Sequence, residues 1–274
     1  MIHRLEFEDL VRGALREDAP FGDPFGAGFR QEARGVFLAM EAGVFCGGDV
    51  AVEVFRQVDA AVSVTFVEEG KRIQAGERVG KALGPAGSLL RGERVALNFL
   101  QKLSGVATAT ARYVERVSPY GTRILDTRKT TPLYRALEKY AVRAGGGFNH
   151  RFTLSDGILI KENGIRAAGG ISEAVEAARR SAPHLSRVEV EVETLEDAET
   201  AVLAGADAIL LDNMPPETVA DAVRRFGGSV FLEASGGIRL ENVEVYARTG
   251  VEAISIGALT HSAAALDISF ELLP

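Results

Sequence analysis

The sequence predicts an α/β chain in which a small N-terminal unit on a mixed sheet precedes an α/β barrel of the TIM type with fewer than eight strands. Three observations carry this. Beyond Gly121, six short apolar runs alternate with amphipathic ones, the pattern of parallel strands joined by crossover helices. No GxGxxG follows the first of those runs, which favours a closed barrel over an open dinucleotide-binding sheet. Between Ala33 and Leu83 the texture differs, with short Val/Ile/Phe runs separated by glycine turns, as in a compact sheet of short strands.

In chain order, RLEFEDLVRGALR (4–16) spaces Leu5, Leu10, Val11, Ala14 and Leu15 as one face of an opening helix. The Gly/Pro/Phe loop EDAPFGDPFGAG interrupts it. GVFLAMEAGVF, VSVTFVEEG and RVGKALG supply the strands of the small sheet. GERVALNFLQKLSGVATATARYVERV is helical in spacing, and Ser104-Gly105 inside it predicts a break into two consecutive helices. The alternating part then reads as strand TRILDT, helix PLYRALEKYAVRAG, strand ILIK, helix ISEAVEAARRSA, strand RVEVEVE, helix LEDAETAVLAG, strand AILLD, helix PETVADAVRRFG, strand VFLEAS, helix ENVEVYARTG and strand AISIG. The tail ALDISFELLP is a further strand, expected to return to the N-terminal part. The expected boundaries are 1–105 for the first domain and 106–265 for the barrel, with 266–274 closing back on the first.

Composition narrows the function. The chain has 274 residues, a globular composition and a formal net charge of −7, which argues against a broad nucleic-acid surface and leaves room for a local basic pocket. A single cysteine, Cys46, excludes an intramolecular disulfide framework and a Cys-rich zinc site and agrees with a reducing, cytoplasmic setting. No apolar run reaches the 18 to 20 or so residues that a membrane helix needs, and the acidic N-terminus does not read as a signal peptide.

The charges sit where barrels keep their chemistry. In RVEVEVE the period is two, so Val188, Val190 and Val192 share one face and Glu189, Glu191 and Glu193 the other. Such a strand is either solvent-facing at an edge or turns its carboxylates to a functional interior, since an unpaired buried carboxylate is costly. The neighbours favour the second reading. ILIK ends in Lys161, AILLD in Asp212, and ILDTRK delivers Asp126, Arg128 and Lys129, all at the strand C-terminal ends where barrel enzymes hold catalytic groups. The segment GGGFNHR adds His150 and Arg151, giving an acidic chain five gathered cations: Arg128, Lys129, His150, Arg151 and Lys161. They point to a polyanion such as a phosphate ester with a carboxylate, gripped by planar guanidinium forks and by lysine point charges. The last two strands end in Ser235-Gly236-Gly237 and Gly257-Ala258, where backbone N–H groups can close on a phosphate. HExxH, EF-hand and GxSxG patterns are absent. Glu191 and Asp212 instead suit Mg²⁺ that arrives with a pyrophosphate and keeps much of its water.

Taken together and in order, RVALNFLQKLSGVAT, DTRKTTP, EKYAVRAGGGFNHR, LIKEN, VEVEVE, ILLDN, EASGG and SIGALTHSA resemble the quinolinate phosphoribosyltransferase family. The likeness is strongest from Arg91 onward, and DTRKT with GGGxNHR and LIKxN is specific as a set. It implies an N-terminal α/β sandwich domain, a C-terminal α/β barrel, and a homodimer, or an oligomer of dimers, whose sites are completed by the neighbouring subunit. It further implies phosphoribosyl transfer from phosphoribosyl pyrophosphate to quinolinate with Mg²⁺ and loss of CO₂. On matching positions, Arg128, His150, Arg151 and Lys161 would surround the quinolinate carboxylates, with Arg94 supplied across the dimer. Lys129, Glu191 and Asp212 would face the phosphoribosyl pyrophosphate and its metal, and Ser235, Gly236, Gly237, Gly257 and Ala258 the 5-phosphate. The chain departs from the usual pattern in reading TTPLYR for TTPGLR, in having Gly164 where LIKxNH has histidine, and in lacking a threonine after Gly22-Asp23. Two other readings are a related phosphoribosyltransferase for another ring acid, and a noncatalytic phosphate-binding barrel. Quinolinate against nicotinate separates the first, and pyrophosphate release the second.

Overall fold

In the computed structural model, which describes residues 2–273, the chain runs through α1 (Glu8–Asp18), β1 (Glu32–Ala39), β2 (Gly43–Val44), α2 (Gly48–Val58), β3 (Ser63–Phe66), β4 (Arg72–Ile73), β5 (Arg78–Pro85) and α3 (Ala86–Val117). It continues through β6 (Arg123–Leu125), α4 (Arg135–Ala144), β7 (Ile158–Ile160), α5 (Glu162–Ala168), α6 (Ile171–Ser181), β8 (Val188–Val192), α7 (Leu195–Leu203) and β9 (Ala208–Asp212). α8 (Pro216–Phe226), β10 (Phe231–Ser235), α9 (Val243–Ala247), β11 (Ala253–Ser255), α10 (Ala258–His261) and β12 (Ile268–Leu273) complete it. The residues group into two compact units. The first takes the chain up to Ala111, Thr130–Gly146 and everything from Ala258, and the second takes Arg112–Lys129 and Gly147–Gly257.

The first unit is organised by an antiparallel sheet of order β12-β1-β5-β3 and the small pair β2-β4. The tail does return: Arg34 to Ala39 pair in register with Leu273 to Ile268. Alternate residues of these strands point to one face, where the rings of Phe37, Phe55, Phe66 and Phe270 cluster edge to face or tilted, as aromatic quadrupoles prefer. The reading of 33–83 as strands alone overlooked α2, although Val50, Ala51, Val54 and Phe55, all fully buried, have helical spacing. The segment holding α4 belongs with this unit, although it follows β6 in sequence. The Tyr134 ring stacks on Phe99 with centroids 5.8 Å apart, and the buried Glu138 carboxylate lies 3.5 Å from Lys102 Nζ.

The expected break at Ser104-Gly105 is not there: α3 is one helix of 32 residues. The pair marks close packing instead. Ser104 Oγ accepts from the Cys46 N–H at 3.0 Å and donates to the Cys46 carbonyl at 3.1 Å. A Cβ on Gly105 would lie 2.0 Å from the carbonyl oxygen of Ala264. Gly105→Ala gains about 1 kcal/mol of helix propensity but forces a backbone shift costing about 3 kcal/mol. A net loss is therefore expected, read as a lower urea midpoint; a rise would contradict this packing account.

The second unit is a parallel sheet of order β6-β11-β10-β9-β8-β7. From β7 to β11 consecutive strands are neighbours, and β11 pairs with β6, so that β6 and β7 form the two ends of the sheet, the strand order of a sheet wrapped round as in a barrel. A bridge from Leu125 to Phe148 continues the wall beyond β6. With six strands the barrel is short of eight, as the sequence predicts. β8 lies between β7 and β9 and is not an edge. Val188, Val190 and Val192 are buried, with α6 and α7 packed against their strand. Glu189 and Glu191 turn to the other face, while Glu193 lies past the strand end and is exposed. α5, a helix of seven residues directly after Lys161, is not among the elements that the alternation predicts.

Candidate active site

The C-terminal ends of the barrel strands surround a cavity of about 440 Å³ lined by Arg128, Lys129, His150, Arg151, Lys161, Glu191, Asp212 and Ser235. All are residues that sequence reasoning singled out, and all belong to the second unit. Arg128 and Lys129 follow β6, and Lys161 is the residue before α5, at the end of β7. Glu191 stands within β8, while Asp212 and Ser235 end β9 and β10 and face each other in register. The wall also includes Thr127, Leu159, Leu210, Glu233 and Ser255. Gly236 and Gly237 continue from Ser235 with φ of 88° and 64°, in the left-handed region that suits glycine. Gly257 and Ala258 follow β11, with Ala258 opening α10 in the first unit. Arg94 is an exposed residue of α3, also in the first unit, and is not among the residues lining the cavity.

Buried acids hold the 149–151 segment in place. Asp126, with no exposed surface, accepts from the His150 backbone N–H at 2.9 Å and from Asn149 Nδ2 at 2.5 Å. The Arg151 backbone N–H donates to His150 Nδ1 at 2.8 Å. That leaves the ring proton on Nε2, which lies 3.0 Å from Glu189 Oε2. His150 thus has both ring nitrogens engaged and links Glu189 to the Arg151 backbone. The Arg151 guanidinium in turn donates to the Gly157 carbonyl at 2.8 Å. Burial first, and then the like charge of Arg128, lower the Arg151 pKa. Two guanidinium groups held this close repel each other, and an anion between them relieves the repulsion.

On the opposite wall, Lys161 Nζ pairs with Glu191. Asp212 accepts from Asn213 Nδ2 at 2.7 Å, and Asn213, at φ 55°, also donates its backbone N–H to the Ser235 carbonyl at 2.9 Å. A Cβ on Gly236 would lie 2.3 Å from Asn213 Oδ1, so only glycine lets the turn after β10 pack this closely on Asn213. Glu191 and Asp212 are half-buried oxygen donors on the cavity wall, the hard ligand type that a hydrated Mg²⁺ takes. The tightest group of ligand-type atoms among the described residues is His150, Glu189 and Glu233, within 4.8 Å of one another.

Sequence reasoning missed Glu233. It is 2% exposed, has Oε1 without a hydrogen-bond partner and lies 3.8 Å from His150 Nε2. Burial, and after it the charge of Glu189, push its pKa up to about 8. The signal was present in VFLEAS, where Glu233 is the lone acid of an apolar strand and alternates in step with Ser235.

Comparison with known proteins agrees with this arrangement. The family described as "Quinolinate phosphoribosyl transferase, C-terminal domain" matches residues 106–271, and "Quinolinate phosphoribosyl transferase, N-terminal domain" matches residues 27–104. The chain belongs to the quinolinate phosphoribosyltransferase family. Among its relatives, a probable nicotinate-nucleotide pyrophosphorylase [carboxylating] of Bacillus subtilis is 44% identical over 99% of this chain and 92% of its own length. The nicotinate-nucleotide pyrophosphorylase [carboxylating] of Homo sapiens is 41% identical over 96% of this chain and 90% of its own. The structure of the nicotinate-nucleotide pyrophosphorylase from Francisella tularensis superposes with a TM-score of 0.97 at 40% identity, covering 100% of this chain and 98% of that one.

Two departures from the family pattern now have a physical description. Leu133 stands at φ 64° with 92% of its surface exposed, a conformation that costs a leucine more than the glycine usual there. Gly164 lies in α5 in open surroundings, with only Ile160 Cγ2, at 3.7 Å, near the place of a Cβ.

No described helix is long and apolar enough to cross a membrane.

Proposed function

We propose that the chain transfers the phosphoribosyl group of phosphoribosyl pyrophosphate to quinolinate with loss of CO₂, giving nicotinate mononucleotide and pyrophosphate in NAD biosynthesis. The observation that carries this reading is one cavity that gathers Arg128, Lys129, Arg151 and Lys161 against Glu191, Asp212 and Ser235. A cavity of this kind suits a dianionic ring acid beside a sugar phosphate, and carboxylating nicotinate-nucleotide pyrophosphorylases are what the relatives are named as.

The quinolinate nitrogen attacks C1 of the ribose, and the C1–O bond to pyrophosphate breaks with its electron pair leaving on oxygen. Positive charge builds on the sugar and negative charge on the leaving group. Glu191 and Asp212 face the first, Lys129 the second. Groups fixed in this way before the reaction contribute most of such catalysis because they need no reorganisation. Arg128 and Arg151 bind the carboxylates as planar forks, with Lys161 as a point charge. His150 holds Arg151 in place from behind. The ring nitrogen, now quaternary and cationic, accepts charge as the C2–carboxylate bond breaks; CO₂ leaves, and C2 takes a proton from water. Ser235, Gly236, Gly237, Gly257 and Ala258 are assigned to the 5-phosphate. Mg²⁺, held through water by Glu191 and Asp212, would neutralise charge on the departing pyrophosphate.

The proposed unit of function is a homodimer in which Arg94 of the partner subunit completes each site. Residues 106–265 then carry the chemistry, and 1–105 with 266–274 carry the arginine lent to the neighbour.

Pyrophosphate release tests the reading. Quinolinate with phosphoribosyl pyrophosphate and Mg²⁺ is expected to give pyrophosphate and CO₂ in equal amounts, and nicotinate is expected to give little of either. Equal rates with nicotinate would assign the site to a monoacid, and binding without release would leave only a phosphate-binding barrel.

A further inference from the structure

The proposed reaction uses every charged group on the cavity wall except one. Glu233 projects from the middle of β10 into the floor of the cavity, and Oε1 of its buried carboxyl group lacks a hydrogen-bond partner. Titratable groups face it from three directions. Glu189 comes from β8, while His150 and Asp126 come from the segments that follow α4 and β6. β11 offers only the Ser255 hydroxyl, and β9 sets the apolar Leu210 beside it in register. Arg128, Lys129, Arg151, Lys161, Glu191 and Asp212 share the cavity above.

Glu189 has the His150 ring nitrogen Nε2 at 3.0 Å, and Glu233 Oε1 lies 3.8 Å from the same atom, so one imidazole stands beside two carboxyl groups. One ring nitrogen cannot compensate two carboxylates, and a second negative charge on this floor would be buried beside the first, which is costly. It would also lie under the place where a dianionic substrate must settle.

We infer that Glu233 is a positioning residue that carries its proton while the site works, so that the Glu189 carboxylate keeps the His150 ring to itself and through it fixes the backbone of Arg151. The inference rests on the reading of the cavity as a quinolinate site. It makes the carboxyl group of Glu233 a silent acid, needed for its shape and neutrality.

The consequence is a dependence on pH. With its pKa raised from the ordinary 4.5 to about 8, Glu233 contributes stability that is full below pH 4.5 and is lost as the pH rises through about 8, because the folded chain then gives up a proton it had retained. Over the same window an ionised Glu233 opposes the substrate dianion.

Wild type and Glu233→Gln are to be compared in two measurements, quinolinate dissociation constants from pH 6.5 to 9.5 and melting temperatures from pH 5 to 9 without ligand. The wild-type dissociation constant is expected to rise about tenfold from pH 7 to 9.5, as for a one-unit linked shift. The glutamine variant should bind within about threefold of wild type at pH 7 and stay nearly flat. The melting temperature of wild type relative to the variant should fall by at least about 3 °C across the range. A variant that tracks wild type in both measurements overturns the inference. So does one that fails to fold or to bind at pH 7, since the negative charge would then be what the site needs. If wild type binds no quinolinate at any pH, the functional reading fails by itself, and the melting curves alone decide the protonation of Glu233.

Discussion

Replacing Lys161 by alanine is expected to slow quinolinate-dependent pyrophosphate release by about 10²- to 10³-fold, the effect of removing one preorganised charge worth about 3 to 4 kcal/mol in the transition state. The fold should not notice. The Lys161 side chain is 54% exposed and pairs with Glu191 on the cavity wall, and exposed pairs of this kind contribute little to stability. Circular dichroism and melting temperature should therefore match wild type while turnover collapses. Arg151→Ala should lose as much rate, because it removes a guanidinium held half-buried beside Arg128. Arg151→Lys separates charge from shape. It restores the positive charge without the planar fork, so its rate should recover only in part if two carboxylate oxygens are gripped at once. Unchanged quinolinate-dependent release in Lys161→Ala or Arg151→Ala would refute the assignment.

Mixing two inactive variants is expected to restore activity. If Arg94 of the partner subunit completes each site, an Arg94→Ala subunit keeps its own Arg128 and can borrow an intact arginine from an Arg128→Ala neighbour. Such a mixed dimer has one complete site and one doubly defective site. Random exchange at equal concentrations makes half of the dimers mixed, so about a quarter of wild-type activity should return by the two-fold symmetry of the dimer. The separate variants should remain at the level of a missing charged group, about 10² or more below wild type. No recovery after proven subunit exchange would show that each subunit uses its own Arg94 or none. The test addresses a residue outside the unit that holds the cavity, because Arg94 stands on α3.

Much of the cavity was legible because barrel chemistry collects at strand ends, and strand ends can be read from periodicity. Lys161, Glu191 and Asp212 each stand at or near the end of a short apolar run, and the fold brings them to one wall. The parallel alternation after Gly121 likewise gave every strand of the second unit, since crossover helices leave little freedom in how such strands are arranged. The local rules failed where tertiary contacts reversed them. Ser104-Gly105 reads as a break by propensity, yet the glycine is there for the Ala264 carbonyl and the serine for Cys46. α2 was hidden because glycine turns on either side drew attention to strands. His150 also links Glu189 to the Arg151 backbone, and no spacing rule encodes those bonds. Glu233 went unnoticed because a lone acid in an apolar strand has meaning only once the neighbouring strands supply Glu189 and His150 around it.

A crystal structure of the chain with quinolinate bound tests the central claim most directly. The ring is expected inside the barrel mouth, with its two carboxylates within hydrogen-bond reach of Arg128, Arg151 and Lys161 and its nitrogen turned toward Glu191 and Asp212. Quinolinate seated elsewhere, with those three side chains not engaged by either carboxylate, would contradict the account.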